Sequence, residues 1–342
     1  MLEELPFDQY QRYAALRLAA DDLRARLGRP LRILDVGDWD GLSARFCPGD
    51  LTVWLDPSGA GAGRYVQADG AALPFAAGAF DLAACLDTLE HVEPARRRPV
   101  VAELERVAEH ALVLAVPIAD DGAAAGEHEL YDYVWDVLGG EQQQLREHAE
   151  RGLPTRSEAR GWLEPGRWTL AETGSGLLAD WLTMMIAKHA LRATADGEAA
   201  DRALDRRYNR RHGAVDPAEP AYRQILFAGR GAGAATPPAV AARLPPPRRA
   251  SEADDVAAAH AVLLAAHARR AGAELELLEL VDPDPLALSR ASRALDREIR
   301  SLVMRREAAQ LALLEERRRS AALAERVAGF ERGRFIRLMA FL

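Results

Sequence analysis

The residues best suited to chemistry in this chain lie between Arg32 and Gly41. Apolar residues around Asp35 are typical of a strand buried on both faces, and Gly37 follows that strand directly. Gly37 and Gly41 allow the backbone to turn sharply and to come close to a ligand. Open α/β sheets bind nucleotide-like molecules at such a turn after a parallel strand. We therefore predict a nucleotide-like ligand here.

The spacing of the glycines argues against a dinucleotide as that ligand. The dinucleotide fingerprint G-x-G-x-x-G would require glycines at positions 37, 39 and 42. Two of these positions hold Trp39 and Leu42 instead. A nicotinamide cofactor therefore fits this turn poorly.

Alternating strands and helices must position the turn. Apolar patterning predicts a helix over 7–27 and another over 95–109. Alternation of strands with helices indicates a doubly wound, mostly parallel α/β sheet. The predicted strands cover 31–36, 51–55, 64–67, 80–85, 111–116, 167–172 and 222–228.

Composition divides the chain into three parts. We expect a domain over 1–230 that carries helical insertions at about 121–165 and 176–213. Residues 231–250 are rich in Pro, Gly and Ala, which is typical of a linker. Residues 251–342 are rich in Ala, Leu, Arg and Glu, which predicts a helical C-terminal module.

Heptad spacing within the C-terminal module is incomplete. Apolar residues recur over 286–342, but polar residues interrupt the second seam of the repeat. This pattern predicts, with equal weight, a coiled coil that joins a homodimer or a partner protein and an antiparallel helical hairpin with 251–280 within the chain.

Bulk composition narrows the class of protein. The formal net charge of −8 over 342 residues argues against general affinity for nucleic acid or for an anionic membrane surface. Cys47 and Cys85 lack the spacing of a disulfide framework or a zinc site. The sequence has no apolar run of about 18 residues and no signal-peptide pattern. We expect a cytoplasmic protein.

Four blocks of sequence, in a consistent order, resemble class I S-adenosylmethionine-dependent methyltransferases with a type 11-like domain. Residues 32–41 resemble motif I of that family, and Asp56 follows at the end of the second strand. Residues 68–81 resemble the block D-x-x-x-L-P-F…F-D. Residues 86–92 resemble the segment after the fourth strand that faces the methyl donor. The resemblance implies a seven-stranded fold, S-adenosylmethionine as cofactor and methyltransferase activity.

The resemblance also implies which residues bind the donor. The motif I loop, with Asp35, Gly37, Trp39 and Gly41, would pass under the donor. The carboxylate of Asp56 would accept the ribose hydroxyls. Asp69, with Gly70, would meet the adenine, and Asp87 would face the methyl donor.

Trp39 departs from the motif, because the family has its central glycine at this position. One interpretation is a rearranged donor pocket in which the indole is turned aside or covers the donor. The other is a non-catalytic, methyltransferase-like scaffold that binds partners through its helical C-terminus. We favour retained donor binding, because Asp56, Asp69 and Asp87 are all present.

Histidines and carboxylates near the fourth strand are the candidates for catalysis. His91 is a candidate general base, since imidazole titrates near neutral pH. Asp87, Glu90 and His91 resemble the E-x-x-E-H metal cluster of some O-methyltransferases similar to the ubiquinone-biosynthesis enzymes. Similar segments occur in relatives without a metal, so we predict no metal and keep this set as the alternative. His128 and His148 lie in the polar segment after the fifth strand, where the family usually builds its acceptor site, and the alternative for each is a surface histidine.

These features together predict an S-adenosylmethionine-dependent methyltransferase. Its reaction would be in-line transfer of the methyl group to a hydroxyl of a sugar, a lipid or a small metabolite. We expect no nucleic-acid partner and no contact with a membrane surface. The arginine run Arg96 to Arg98 is interpreted as a solvated helix face.

Overall fold

One sheet sets the position of every loop described below. The computed structural model describes residues 2–58, 63–194, 197–213 and 215–249, together with 259, 261–263, 265–267, 319 and 320. Within these residues seven strands lie in the order β3-β2-β1-β4-β5-β7-β6. They are β1 (Arg32–Val36), β2 (Leu51–Asp56), β3 (Tyr65–Gln67), β4 (Phe80–Leu86), β5 (Ala108–Pro117), β6 (Thr169–Leu177) and β7 (Ala221–Gly229).

Strands β1 to β5 are parallel, and β7 runs antiparallel to both β5 and β6. The predicted α/β fold with a mostly parallel, seven-stranded sheet is confirmed.

The helices of the described ranges are α1 (Phe7–Leu27), α2 (Leu42–Phe46), α3 (Pro94–Val107), α4 (Ala123–Asp132), α5 (Gln143–Arg151), α6 (Arg156–Gly161), α7 (Leu178–Arg192), α8 (Gly197–His212) and α9 (Thr236–Ala241). A π-helical turn, Tyr133–Val137, extends α4.

Alternate residues of the central strands enter different cores, because successive side chains of a strand point to opposite faces. On one face, Leu34 of β1 and Cys85 of β4 pack with α3 and α6. On the other face, Ile33 of β1 and Ala84 of β4 pack with α1, α2 and α9. Burial on both faces explains the continuous apolar runs that predicted these strands.

Helix α7 interrupts the connection between the last two strands. Its Trp181 and Met184 are buried in a third apolar cluster with residues of α4 and α8. Trp181 also stacks on Tyr222 of β7, with ring centroids 3.7 Å apart. This apolar helix therefore packs in the core of the domain.

Several predicted boundaries differ from the structure, among them the carboxyl end of β6, which lies at Leu177 and not at residue 172. Strand β5 begins at Ala108, which pairs with Phe80, so α3 ends at Val107 and not at residue 109. Within 231–250, predicted as a linker, α9 forms and Val240 is fully buried against the core on the α1 face. This segment packs on the domain because its few apolar residues meet that core.

The C-terminal module is described at only a few positions. Ala261, Val262 and Ala265 are buried against the cluster that contains α7. The ring nitrogen Nε2 of His267 lies 2.7 Å from the hydroxyl of Tyr133. The predicted coiled coil over 286–342 and the hairpin alternative lie outside the described residues, apart from residues 319 and 320. No helix of the described ranges combines the length and the apolar character that a bilayer span needs.

Candidate functional site

The carboxyl ends of four neighbouring parallel strands carry the predicted donor-binding residues. Strands β3, β2, β1 and β4 are contiguous in the sheet, so their carboxyl ends lie along one edge. All eight predicted donor residues stand in or directly after these strands: Asp35, Gly37, Trp39, Gly41, Asp56, Asp69, Gly70 and Asp87. The topology therefore brings residues from separate sequence blocks to a single site.

At Gly37, the loop after β1 comes very close to the loop after β4. The Gly37 backbone has a φ of +97°, which favours glycine. A Cβ atom at this position would lie 2.0 Å from Oγ1 of Thr88, the residue after Asp87. Glycine at position 37 therefore allows the loop after β1 to pass beside the loop after β4.

Asp38 holds the motif I loop in shape. Its buried carboxylate accepts hydrogen bonds from the backbone N–H groups of Gly41, at 2.9 Å, and of Ser43, at 3.0 Å. The Ser43 hydroxyl donates a further bond of 2.7 Å. Sequence analysis missed this residue, although an acidic residue just before a short helix is a capping signal.

Trp39 lies at the outside of the same loop. Its side chain is 67% exposed, so the indole is turned toward solvent and does not fill the space under the loop. Of the two positions considered for the indole, this is the one turned aside. The loop therefore keeps its tight turn although it lacks the central glycine.

Asp35 is a second buried carboxylate, in β1 just before this loop. It is 1% exposed, and its Oδ2 atom has no hydrogen-bond partner among the described residues. Burial raises the pKa of Asp35 well above its ordinary value, and the neighbouring charge of Asp38 adds to that increase. The end of β1 thus contains a buried oxygen that can accept a hydrogen bond.

Asp56 is held at the end of β2. Its Oδ1 atom accepts hydrogen bonds from the backbone N–H and the hydroxyl of Ser58, both 2.8 Å long. These bonds fix the side chain and occupy one carboxylate oxygen. The arrangement suits the predicted role, in which a carboxylate accepts hydroxyl groups of a sugar.

Asp69 and Gly70 follow β3 at the margin of the site. Asp69 is exposed, accepts a 2.9 Å bond from the backbone N–H of Ala71 and pairs with Arg96. These two interactions, in that order, lower the pKa of Asp69. At Gly70 a Cβ atom would lie 3.2 Å from Val36, so a small residue lets this loop pack on the end of β1.

Asp87 is an interior ion-pair residue. It has a left-handed backbone, with φ +48°, and its carboxylate accepts bonds from Arg12 Nη1 at 2.8 Å and Arg223 Nε at 2.6 Å. Burial raises the pKa of Asp87, but the two guanidinium groups outweigh that effect and bring it to about 2. Asp87 thus links α1 to β7 next to the donor loop. No motif in the sequence pointed to its arginine partners.

A chain of hydrogen-bonded side chains begins at His91, which ends the 3₁₀ turn Leu89–His91. His91 Nδ1 lies 3.0 Å from Oε2 of Glu147, and His91 Nε2 lies 3.3 Å from Nε2 of His148. His148 Nδ1 lies 2.9 Å from Oε1 of Glu127, which also accepts a 2.7 Å bond from the Tyr222 hydroxyl. Of these partners, only His148 was a sequence candidate.

Glu90 lies beside the two imidazoles. It is 1% exposed, and Oε2 has no hydrogen-bond partner among the described residues. One carboxylate oxygen, Oε1, is 4.0 Å from His91 Nε2. We call Glu90, His91 and His148 the histidine cluster. One nitrogen or oxygen atom from each member lies within 4.8 Å of those from the other two.

Arg97 anchors the turn that carries the cluster. Its Nε donates to the Leu89 carbonyl at 3.0 Å, and its Nη2 donates to the Gly152 carbonyl at 2.6 Å, just past α5. Arg97 is 4% exposed, so the interpretation of Arg96 to Arg98 as a solvated face is wrong at this position. Its spacing from Val100 and Val101 places it on the apolar face of α3, which is the signal that was missed.

A cavity of about 730 Å³ lies between α4 and α5. Ala124, Tyr131 and Leu145 supply apolar walls, while Glu127 and His148 supply polar atoms. A largely apolar pocket of this size with a few polar groups is typical of a small-molecule site. Because His148 also contacts His91, the cavity and the histidine cluster adjoin.

Comparisons with known proteins agree with this description. Residues 53–114 match the family model described as "Methyltransferase domain". Among solved structures, the MccD protein is 15% identical, with a TM-score of 0.37, over 62% of this chain and 96% of that one. The 1,6-didemethyltoxoflavin N1-methyltransferase from Burkholderia thailandensis is 16% identical, with a TM-score of 0.36, over 65% and 81%. No curated protein matches the chain significantly.

The matched residues 53–114 run from within β2 into β5. They contain Asp56, Asp69, Gly70 and Asp87, which are the predicted donor residues that follow motif I. The similarity to a methyltransferase domain therefore lies in this stretch of the chain, which contains four of the eight predicted donor residues.

Proposed function

We propose that the chain is a class I S-adenosylmethionine-dependent methyltransferase and that it acts on a hydroxyl group of a small molecule bound in the cavity between α4 and α5. The observation that carries the proposal is the contact between the cavity and the histidine cluster, made by His148. A sugar, a lipid fragment or a small metabolite is the class of acceptor we expect. The apolar walls favour an acceptor with an apolar part.

The donor residues fit the cofactor. When bound, S-adenosylmethionine supplies an electrophilic methyl group on its sulfonium. We assign contact with the ribose hydroxyls to Asp56 and close backbone approach to Gly37, Gly41 and Gly70. Asp69 would meet the adenine amino group, and Asp35 would accept a hydrogen bond within the loop. Asp87 would lie beside the donor, held in place by its two arginines. Trp39 would lie at the entrance of the donor site.

A hydroxyl needs help to become a nucleophile. It becomes a good nucleophile only as its proton leaves, so the site must favour loss of that proton. The pair formed by His91 and His148 is the group we assign to this step. Glu127 and Glu147 fix the two rings through their Nδ1 atoms, so that both Nε2 atoms face the same space. Holding hydroxyl and methyl group close and in line supplies the rest of the catalysis.

We place the activity in the cytoplasm. Cys47 and Cys85 are both buried and unpaired, which fits a reducing compartment.

Asp56→Ala tests the donor site. We expect the dissociation constant for S-adenosylhomocysteine, measured by calorimetry, to rise at least tenfold, since the variant loses the carboxylate assigned to the ribose. Asp21→Ala on the exposed side of α1 is the matched control and should leave affinity unchanged. Equal affinity of wild type and Asp56→Ala would show that the donor is misplaced. No saturable binding by the wild type at millimolar ligand would favour the scaffold alternative.

Ala124→Trp tests the acceptor cavity. The indole would occupy the cavity from an exposed position on α4, so the fold should persist. With a methyl-labelled donor and a panel of small hydroxylated compounds, we expect wild type to label at least one compound and the variant to lose at least nine-tenths of that labelling. Ala102→Trp, exposed on α3, is the control. Full labelling by Ala124→Trp would place the acceptor elsewhere.

A further inference from the structure

We propose that the histidine cluster binds a divalent transition-metal ion, with zinc as the best-fitting ion. Glu90, His91 and His148 would supply one carboxylate oxygen and two imidazole Nε2 atoms. Two histidines and one glutamate form a ligand set that zinc accepts in catalytic sites. The sequence alone predicted no metal, because segments similar to 87–91 occur in relatives without one, and it did not pair His91 with His148, which is 57 positions away.

The orientation of the two rings is the first argument. A carboxylate accepts hydrogen bonds, so the proton between His91 and Glu147 lies on Nδ1, and the same holds for His148 and Glu127. In a neutral ring with a proton on Nδ1, Nε2 carries a lone pair. When neither ring carries a second proton, both lone pairs face each other across 3.3 Å, so the site favours a cation between them.

The distance between the rings is the second argument. Zinc–nitrogen bonds of about 2.0–2.1 Å at a tetrahedral angle place two nitrogen ligands about 3.4 Å apart. The observed separation of the two Nε2 atoms is 3.3 Å. The rings therefore already have the spacing of two ligands of one ion.

Glu90 is an independent observation that points to a cation. Its side chain is 1% exposed, and Oε2 has no hydrogen-bond partner within the described ranges. A buried, charged carboxylate with an unpartnered oxygen is costly unless a positive charge compensates it. One of its oxygens lies within 4.8 Å of ring nitrogens of both histidines, where an ion between them would meet it.

The surroundings of the cluster resemble those of known metal sites. Histidine ligands usually bind a carboxylate through their other ring nitrogen, which fixes the ring. Glu127 and Glu147 do this here, and each is held in turn, Glu127 by Tyr222 and Glu147 by Arg151. Asp87 does not belong to the set, because its carboxylate is occupied by Arg12 and Arg223. The proposed ligands therefore differ from the set Asp87, Glu90 and His91, which the sequence offered as an alternative metal site.

The ion would also explain how the histidine pair acts on an acceptor. Three protein ligands leave a fourth zinc position open. A hydroxyl bound there would lose its proton to solvent more readily, as zinc-bound water does, and with the ion present the two histidines would act as its ligands and not as the base. This connection rests on the proposed function, whereas metal binding itself does not.

The test uses the full chain after removal of metals with a chelator. Titration with Zn²⁺ in a calorimeter should show one ion per chain and a raised melting temperature, while Mg²⁺ should give neither, because imidazole ligands suit zinc better. His148→Ala and Glu90→Gln should each weaken binding at least 100-fold. His128→Ala, which is on α4 beside the same cavity but outside the cluster, is the matched control.

Two further measurements test the supporting carboxylate and check that the variants fold. Glu127→Gln keeps all three ligands and should weaken zinc about 10-fold to 100-fold, as loss of such a supporting carboxylate does elsewhere. Binding of S-adenosylhomocysteine should stay unchanged in these variants, which shows that they fold. Absence of Zn²⁺ binding by wild type, or binding that His148→Ala leaves intact, would overturn the inference. Zinc binding without labelling of any acceptor would instead count against the proposed function alone.

Discussion

Gly37→Ala is expected to abolish measurable binding of S-adenosylhomocysteine, a loss of at least about 100-fold in affinity. The new methyl group would lie 2.0 Å from Thr88 Oγ1 and 2.8 Å from Thr88 Cβ, so one of the two loops must move. The backbone conformation, with φ +97°, adds a strain of about 1–2 kcal/mol for any residue with a Cβ. Calorimetry on the purified variant measures the loss.

Two companion variants separate the clash from a general effect of alanine. Gly49→Ala adds the same methyl group where no atom lies within 4 Å, and it should bind like wild type. Gly37→Ala combined with Thr88→Gly removes the clash but keeps the strained φ, so it should recover only part of the affinity. If Gly37→Ala alone binds like wild type, the loop after β1 does not contact the donor.

Much of the fold could be predicted from the sequence, because local patterns determine it. Ile33 and Leu34 enter opposite cores, so a run of apolar residues marks a strand buried on both faces. Helix α1 was predicted with its observed bounds, since Gly28 ends it in a left-handed conformation. The position of these acidic residues at one edge of the sheet was predictable as well, because each block places one where a parallel strand ends.

The part of the site that the sequence did not predict depends on contacts between distant segments. Arg223 meets Asp87 across 136 positions, and His148 meets His91 across 57. Spacing along the chain does not encode such pairs. Arg97 was also missed, since a charged run suggests solvent, whereas the aliphatic neighbours on its helix face bury it. The packing of residues 231–250 was missed for a related reason, because proline and glycine obscured the single core residue Val240.

Asp87→Asn is expected to lower the free energy of unfolding by about 3–5 kcal/mol, the usual cost of breaking a buried ion pair from one side. Arg223 is 1% exposed and Arg12 is 17% exposed, so the substitution leaves two positive charges poorly solvated. Asparagine has nearly the same shape as aspartate, so the loss reports charge and hydrogen bonding. Urea unfolding at pH 7 measures it. Asp21→Asn, which removes an exposed ion pair on α1, should cost less than about 1 kcal/mol.

The difference between wild type and Asp87→Asn should also depend on pH in one direction. The pKa of Asp87 is about 2 in the folded protein, because the two guanidinium groups outweigh burial, against about 3.9 for an unfolded chain. A carboxyl whose pKa is lowered by folding stabilises the fold fully above the unfolded value, and loses that contribution as the pH falls toward the folded value. The difference should therefore be constant from pH 6 to pH 8 and shrink between about pH 4 and pH 2. Arg12→Leu in the Asp87→Asn background removes one of the stranded charges, so it should restore part of the stability. A further loss in that double variant would mean that Arg12 stabilises the fold by packing and not through Asp87.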